Sequence, residues 1–80
     1  MLDELKNQRK VVGIKQLRKS LKDGLVARAF LAENADPALT EPLAQMCVCQ
    51  GVELILVPTM AELGKACGIS VGAAAAGLLA

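Results

Sequence analysis

The sequence predicts an α/β protein, a three-layer α/β/α sandwich with a mixed sheet of about four strands. Three observations lead there. Short apolar runs alternate along the chain with stretches whose apolar residues recur at helical spacing, the pattern of helices laid on both faces of a sheet. The chain has 80 residues, below the usual ~100–150 of a domain, so residues 1–80 are expected to form a single unit. Hydrophobic residues make up 54% of it, with seven glycines besides, which excludes wholesale disorder. Most of the apolar content is Ala, Leu and Val, and Phe30 is the one aromatic residue. A core made from such residues must be tight, because a small domain has little surface to bury.

Taken in order, Leu2 to Arg9 has the spacing of a short amphipathic helix, and Val11-Val12 before Gly13 reads as a brief strand. From Ile14, the residues Ile14, Leu17, Leu21 and Leu25 recur on one side of a helix, while Lys15, Arg18, Lys19 and Lys22 point elsewhere. Gly24 is its expected stop. Leu25 to Ala32 follows as a strand that sends Phe30 to the core, and Asn34-Ala35-Asp36-Pro37 carries turn and helix-start chemistry. Pro37 and Pro42 cannot both occupy a first helical position. The expected solution is a turn to Leu39, then a helix capped by Thr40 and running to Gln50.

Gly51 ends that helix. Val52 to Val57 is almost continuously apolar, as expected of a central strand covered on both faces, and Pro58 stops it. Thr59-Met60-Ala61-Glu62 fits a capping box that opens a helix closing near Gly68. Val71 to Ala80 is ambiguous. Alanine favours helix, whereas the preceding alternation argues for a last strand whose small side chains let helices approach closely. About four helices are expected, and strand order is not legible.

Charge divides the chain. The net value is +1, but residues 1–30 carry eight basic and three acidic side chains (+5), and residues 31–80 carry one basic and five acidic (−4). From Lys6 to Lys22 there are seven basic residues and no acidic one. A solvated helix face normally mixes Glu with Lys to gain pairs three or four apart. This segment does not, and its pattern is that of a surface for phosphates.

Other classes are disfavoured. The longest uncharged stretch, Ala66 to Ala80, is shorter than the ~18 apolar residues of a membrane span and contains glycines and a serine. No basic region precedes an apolar N-terminal segment, so a cytoplasmic location without a secretory signal is expected, with no membrane partner. The chain has no histidine, and its three cysteines, Cys47, Cys49 and Cys67, lack CxxC spacing, which removes the common zinc arrangements. Cys47 and Cys49 lie roughly 200° apart around a helix and read as packing thiols rather than shared ligands. Enzyme function and cofactors are not expected, because scattered acids and no histidine supply neither a nucleophile–base pair nor paired carboxylates. Cys67, near a helix C-terminus, is poorly placed to be a thiolate. Gly64, Gly68 and Gly72 match no phosphate-binding fingerprint and suit turns and close packing.

Single-strand readers stack bases on several aromatic rings, which one Phe cannot provide, so structured RNA or DNA remains. Gly13 directly before a helix leaves the backbone N–H groups near Ile14 to Gln16 free to face a phosphate or base edge, with the helix dipole assisting. Lys15 and Gln16 stand at that front, Lys19 lies one turn on, and Arg18 and Lys22 flank them. Lys and Gln both suit base edges. Gly13 alone is equally a plain strand-to-helix turn.

Gly13-Ile14-Lys15-Gln16-Leu17-Arg18-Lys19, then Ala35-Asp36-Pro37, and above all Leu63 through Ala75 (LGKACGISVGAAA) together resemble the ribosomal protein seven-Ae/thirty-e family of kink-turn RNA-binding proteins. The resemblance spans almost the whole chain and is closest to the small bacterial stand-alone branch. It implies an α/β/α sandwich that grips a kink-turn, an RNA helix–bulge–helix element bent sharply at tandem sheared G·A pairs. By this resemblance Gly13, Lys15 and Gln16 read the G·A pairs, and Lys19 adds a contact. Gly68, Ile69, Ser70 and Val71 supply apolar contacts to the extruded bulge bases. Most archaeal and eukaryotic members carry Asn-Glu where this chain has Lys15-Gln16, a pair that the bacterial branch shares.

The leading expectation is therefore a monomeric, non-catalytic protein that stabilises kink-turns in structured RNA, with the ribosome as a further expected partner. The alternative is a non-catalytic protein-interaction module of the same fold, its basic part docking an acidic partner.

Overall fold

The alternation of spacings becomes an alternation of elements in the structure, a computed structural model that describes residues 9–80. In order these are β1 (Lys10–Val12), α1 (Ile14–Lys22), β2 (Val26–Ala32), α2 (Pro37–Gln50), β3 (Glu53–Val57), α3 (Met60–Ala66) and β4 (Ala75–Leu79). The strands form one sheet in the order β1-β4-β2-β3. β4 runs antiparallel to both β1 and β2, and β2 is parallel to β3. The sheet is mixed, as expected. Its directions bring the ends of β1, β2 and β3 and the beginning of β4 to one rim, from which all three helices start.

Alternate residues of β2 serve opposite layers, as the two-residue period of a strand requires. Ala29 and Leu31 face a cluster with Leu17 and Leu21 of α1 and Leu43 and Cys47 of α2. Phe30 and Ala32 face Leu63 and Ala66 of α3 together with Val57, Ala76 and Leu78. Phe30 is fully buried, as its solitary aromatic status suggested. The ambiguous C-terminal segment is a strand, and it occupies a central position. On the face toward α1 its Ala75 and Gly77 are small enough for that helix to lie close above them.

The helix predicted over Leu2–Arg9 lies, but for Arg9, outside the described residues, and three other expectations are corrected. α2 does not wait for Thr40: it begins at Pro37, where the Asp36 carboxylate accepts the Ala38 N–H at 3.0 Å, and it carries Pro42 inside it. An interior proline costs about 3 kcal/mol, and burying Leu43 and Cys47 in the same stretch returns a comparable amount, at about 1.5–3 kcal/mol for a large apolar side chain. β3 is an edge strand rather than a central one, and Leu56 on it is 58% exposed. Its apolar run reflects α2 and α3 packing on its two faces, not strands on both sides. Leu25 does not extend the apolar stripe of α1. The chain turns out of the helix at Asp23 and Gly24, and Leu25 is left exposed.

Candidate nucleic-acid interface

α1 presents two unlike faces. Leu17 and Leu21 are fully buried, while Lys15, Gln16, Arg18, Lys19 and Lys22 are exposed and Ile14 is half-buried. The four cations follow the i, i+3, i+4, i+7 spacing of one helix face, so they line one outer stripe. Arg28, a basic residue outside this stripe, instead pairs with Glu53 across β2 and β3 at 3.2 Å.

The start of α1 is open. Gly13 takes φ 111 and ψ 158, a conformation essentially restricted to glycine, and it has no side chain with which to cap the helix. Its own N–H donates to the Ala75 carbonyl at 2.8 Å, and its carbonyl receives the first helical bond from Leu17 at 3.0 Å. The N–H groups of Ile14, Lys15 and Gln16 take no partner among the described residues. The other two helix starts at this rim are filled. Asp36 caps α2, where Pro37 has no N–H to offer, and Thr59 accepts from the Glu62 N–H of α3 at 3.1 Å. The positive end of a helix dipole, unsatisfied donors and a lysine stripe coincide at α1 alone among these helices.

The loop from Gly68 to Ala74 crosses the same rim between α3 and β4. Gly68 turns it with φ 79, and the Ile69 N–H then donates to the Gly64 carbonyl at 3.1 Å. Gly64 has to be glycine, because a Cβ there would run into the carbonyl oxygen of Val71. The loop therefore lies flat on α3 with Val71 67% and Ile69 38% exposed. Gly68 and Ser70 are exposed as well. The Gly13–Ala75 hydrogen bond joins the first residue of β4, where this loop ends, to the start of α1 at that rim of the sheet. Two rim residues were not singled out from the sequence. Met60, 36% exposed, packs against Gly72, and Asn34 bonds to the backbone of Met60 at 2.8 Å. Their local signals are a turn for Asn34 and a capping box for Met60, and neither reveals a contact that crosses between distant turns.

The cysteines stand apart from this rim chemistry. Cys47 is buried and Cys49 exposed, which matches their opposed positions on α2, and Cys67, which ends α3, is buried as well. Burial pushes the Cys47 and Cys67 thiols up, and nearby Lys10 partly opposes the shift at Cys67. Among the described residues, no group of three or more His, Cys, Asp or Glu side chains could hold a metal ion, and no helix is long and apolar enough to cross a membrane.

Fold and rim together define a class: a small α/β/α sandwich with a mixed sheet, an uncapped basic helix start and an apolar loop beside it. The chain belongs to the ribosomal protein L7Ae/L30e/S12e/Gadd45 family, whose pattern matches residues 2–79. It is 44% identical over 69 residues to an RNA-binding protein of Bacillus pumilus, covering 86% of this chain and 84% of that protein. It is 33% identical over 69 residues to the large ribosomal subunit protein eL8 of Halobacterium salinarum, covering 85% of this chain and 58% of that one. The solved structure of a 15.5kD RNA binding protein of Giardia lamblia superposes with a TM-score of 0.91 at 25% identity, over 99% of this chain and 70% of that one.

Proposed function

We propose that the protein binds structured RNA and stabilises kink-turns, without catalysing a reaction or requiring a cofactor. One observation carries this reading. The open, lysine-lined start of α1 and the exposed apolar loop of Ile69 and Val71 are linked at one rim through the Gly13–Ala75 hydrogen bond. A bent RNA offers both phosphates and unstacked bases to such a surface, whereas a straight A-form duplex offers mainly backbone and hydroxyls. Backbone contacts then fix register, and the helix start and loop select shape.

In this reading Gly13, Ile14, Lys15 and Gln16 face the base pairs at the bend, and Arg18, Lys19 and Lys22 meet flanking phosphates. Gly68, Ile69, Ser70 and Val71 receive the extruded bases. The names carried by the bacterial and Giardia relatives support RNA as the ligand. The same reading has the protein act as a monomer in the cytoplasm, with ribosomal RNA among the candidate targets. A gel-shift series comparing a kink-turn with its G·A-disrupted variant tests it: the intact element should bind at least about tenfold more tightly, roughly 1.4 kcal/mol. Equal affinity for the two would refute kink-turn recognition, and failure of unlabelled RNA to displace a bound protein partner would favour a protein-docking role.

A further inference from the structure

We propose that Asn34, in the turn after β2, is a positioning residue that sets the 68–74 loop for its ligand by holding the first residue of α3. This rests on the RNA reading only for what the loop touches. Asn34 lies 26 residues from Met60, yet its Oδ1 accepts the Met60 N–H at 2.8 Å. That N–H belongs to the first turn of a helix, where backbone donors have no partner inside the helix. Thr59, the cap that α3 supplies for itself, is committed to the Glu62 N–H. α3 is thus capped twice, once from its own turn and once from the turn after β2.

Met60 passes the constraint onward. Its carbonyl accepts the Ala73 N–H at 3.0 Å, and its Cβ is 3.1 Å from where a side chain on Gly72 would begin. The Asn34 turn is itself pinned to the sheet, by Glu33 N–H to the Val57 carbonyl at 2.7 Å and Ala35 N–H to the Ala32 carbonyl at 3.2 Å. A continuous chain of bonds therefore runs from the sheet through Asn34 and Met60 to the loop that carries Ile69 and Val71. A loop ordered beforehand loses less entropy on binding than one ordered by its ligand. Selectivity for a shaped RNA then depends on Asn34, whereas attraction to the α1 lysines does not.

The test compares Asn34→Leu, which deletes the acceptor, with Asn34→Asp, which keeps one. It adds Met60→Pro, which deletes the donor, against Met60→Ala, which keeps it. Proline is accepted at a first helical position, and Thr59 before it is already extended at φ −136 and ψ 154. Without RNA, Asn34→Leu should speed Ala73 amide exchange about tenfold and shift the Ile69 and Val71 methyl resonances, while Asn34→Asp stays within about twofold of wild type. With RNA, Asn34→Leu should lose about tenfold in affinity for a kink-turn and less than about twofold for a straight duplex. Unchanged Ala73 exchange, or equal losses for the two RNAs, overturns the proposal. Should Asn34→Leu not fold, Met60→Pro against Met60→Ala decides by the same measurements. A wild-type protein that prefers no kinked RNA would sink the kink-turn reading alone, and the exchange data would still decide whether Asn34 holds the loop.

Discussion

Leu17 of α1 rests directly on Gly77 of β4: a Cβ built at Gly77 would stand 2.7 Å from Leu17 Cδ1. The contact sets how close the basic helix lies to the sheet, and hence where its first turn meets the loop before β4. Leu17 is completely buried, so its methyl group has no free space into which to retreat. Gly77→Ala should therefore destabilise the fold by about 1–3 kcal/mol, although alanine would ordinarily gain over glycine in a strand. A lowered urea midpoint with unchanged slope is the expected result, and adding Leu17→Ala should give a double variant that loses less than the sum of the two single losses. A midpoint at or above wild type would show that the helix stands further off.

Lys19 is exposed on the α1 stripe and makes no ion pair among the described residues. Lys19→Ala should leave stability within about 0.5 kcal/mol and weaken RNA binding. If Lys19 neutralises one phosphate, the slope of log affinity against log salt should fall in magnitude by about one unit. Titrations at several salt concentrations measure it directly, and an unaltered slope would remove Lys19 from the phosphate contacts.

Ile69 is partly exposed on a loop whose backbone is held by Gly64 and Met60, so a charge there is tolerated by the fold. Ile69→Asp should melt close to wild type yet lose the preference for a kinked RNA over a straight duplex. The physical reason is that an apolar contact to an unstacked base is replaced by a carboxylate facing a polyanion. Retained preference would exclude the loop from base contact.

The cysteines should separate by reactivity. Cys49, on the exposed side of α2, should react with a thiol reagent in the native protein, and Cys47 and Cys67 should react only on unfolding. Burial holds both of these thiols above the ordinary value of 9.0. The unfolded chain thus releases their protons first, so it binds fewer protons than the folded one in that range, and stability falls as pH rises through about 9. Replacing Cys47 and Cys67 by Ala should flatten that decline in urea midpoints measured from pH 8 to 10.

How much was legible in advance depended on the range of each interaction. The helical spacing of Ile14, Leu17 and Leu21 and the uninterrupted lysines around them foretold α1 and its exposed stripe. The capping chemistry of Thr59 and Glu62 foretold α3. Val71 to Ala80 was balanced between helix and strand, because alanine has a local preference for helix and only a neighbouring strand supplies ladder bonds. The start of α2 was misread because Pro42 looks prohibitive locally, while the compensating burial of Leu43 and Cys47 comes from elements distant in sequence.

From residue order alone came the layer scheme, the two-sided charge and the glycine before α1, since periodicity, charge and turn chemistry are properties of neighbouring residues. Only the folded chain decided that β4 enters between β1 and β2, that β3 takes the edge, and that the 68–74 loop reaches the start of α1. Those outcomes depend on bonds such as Gly13 to Ala75 and Asn34 to Met60. Their partners are separated by whole elements, and nothing in either partner's local sequence encodes the other.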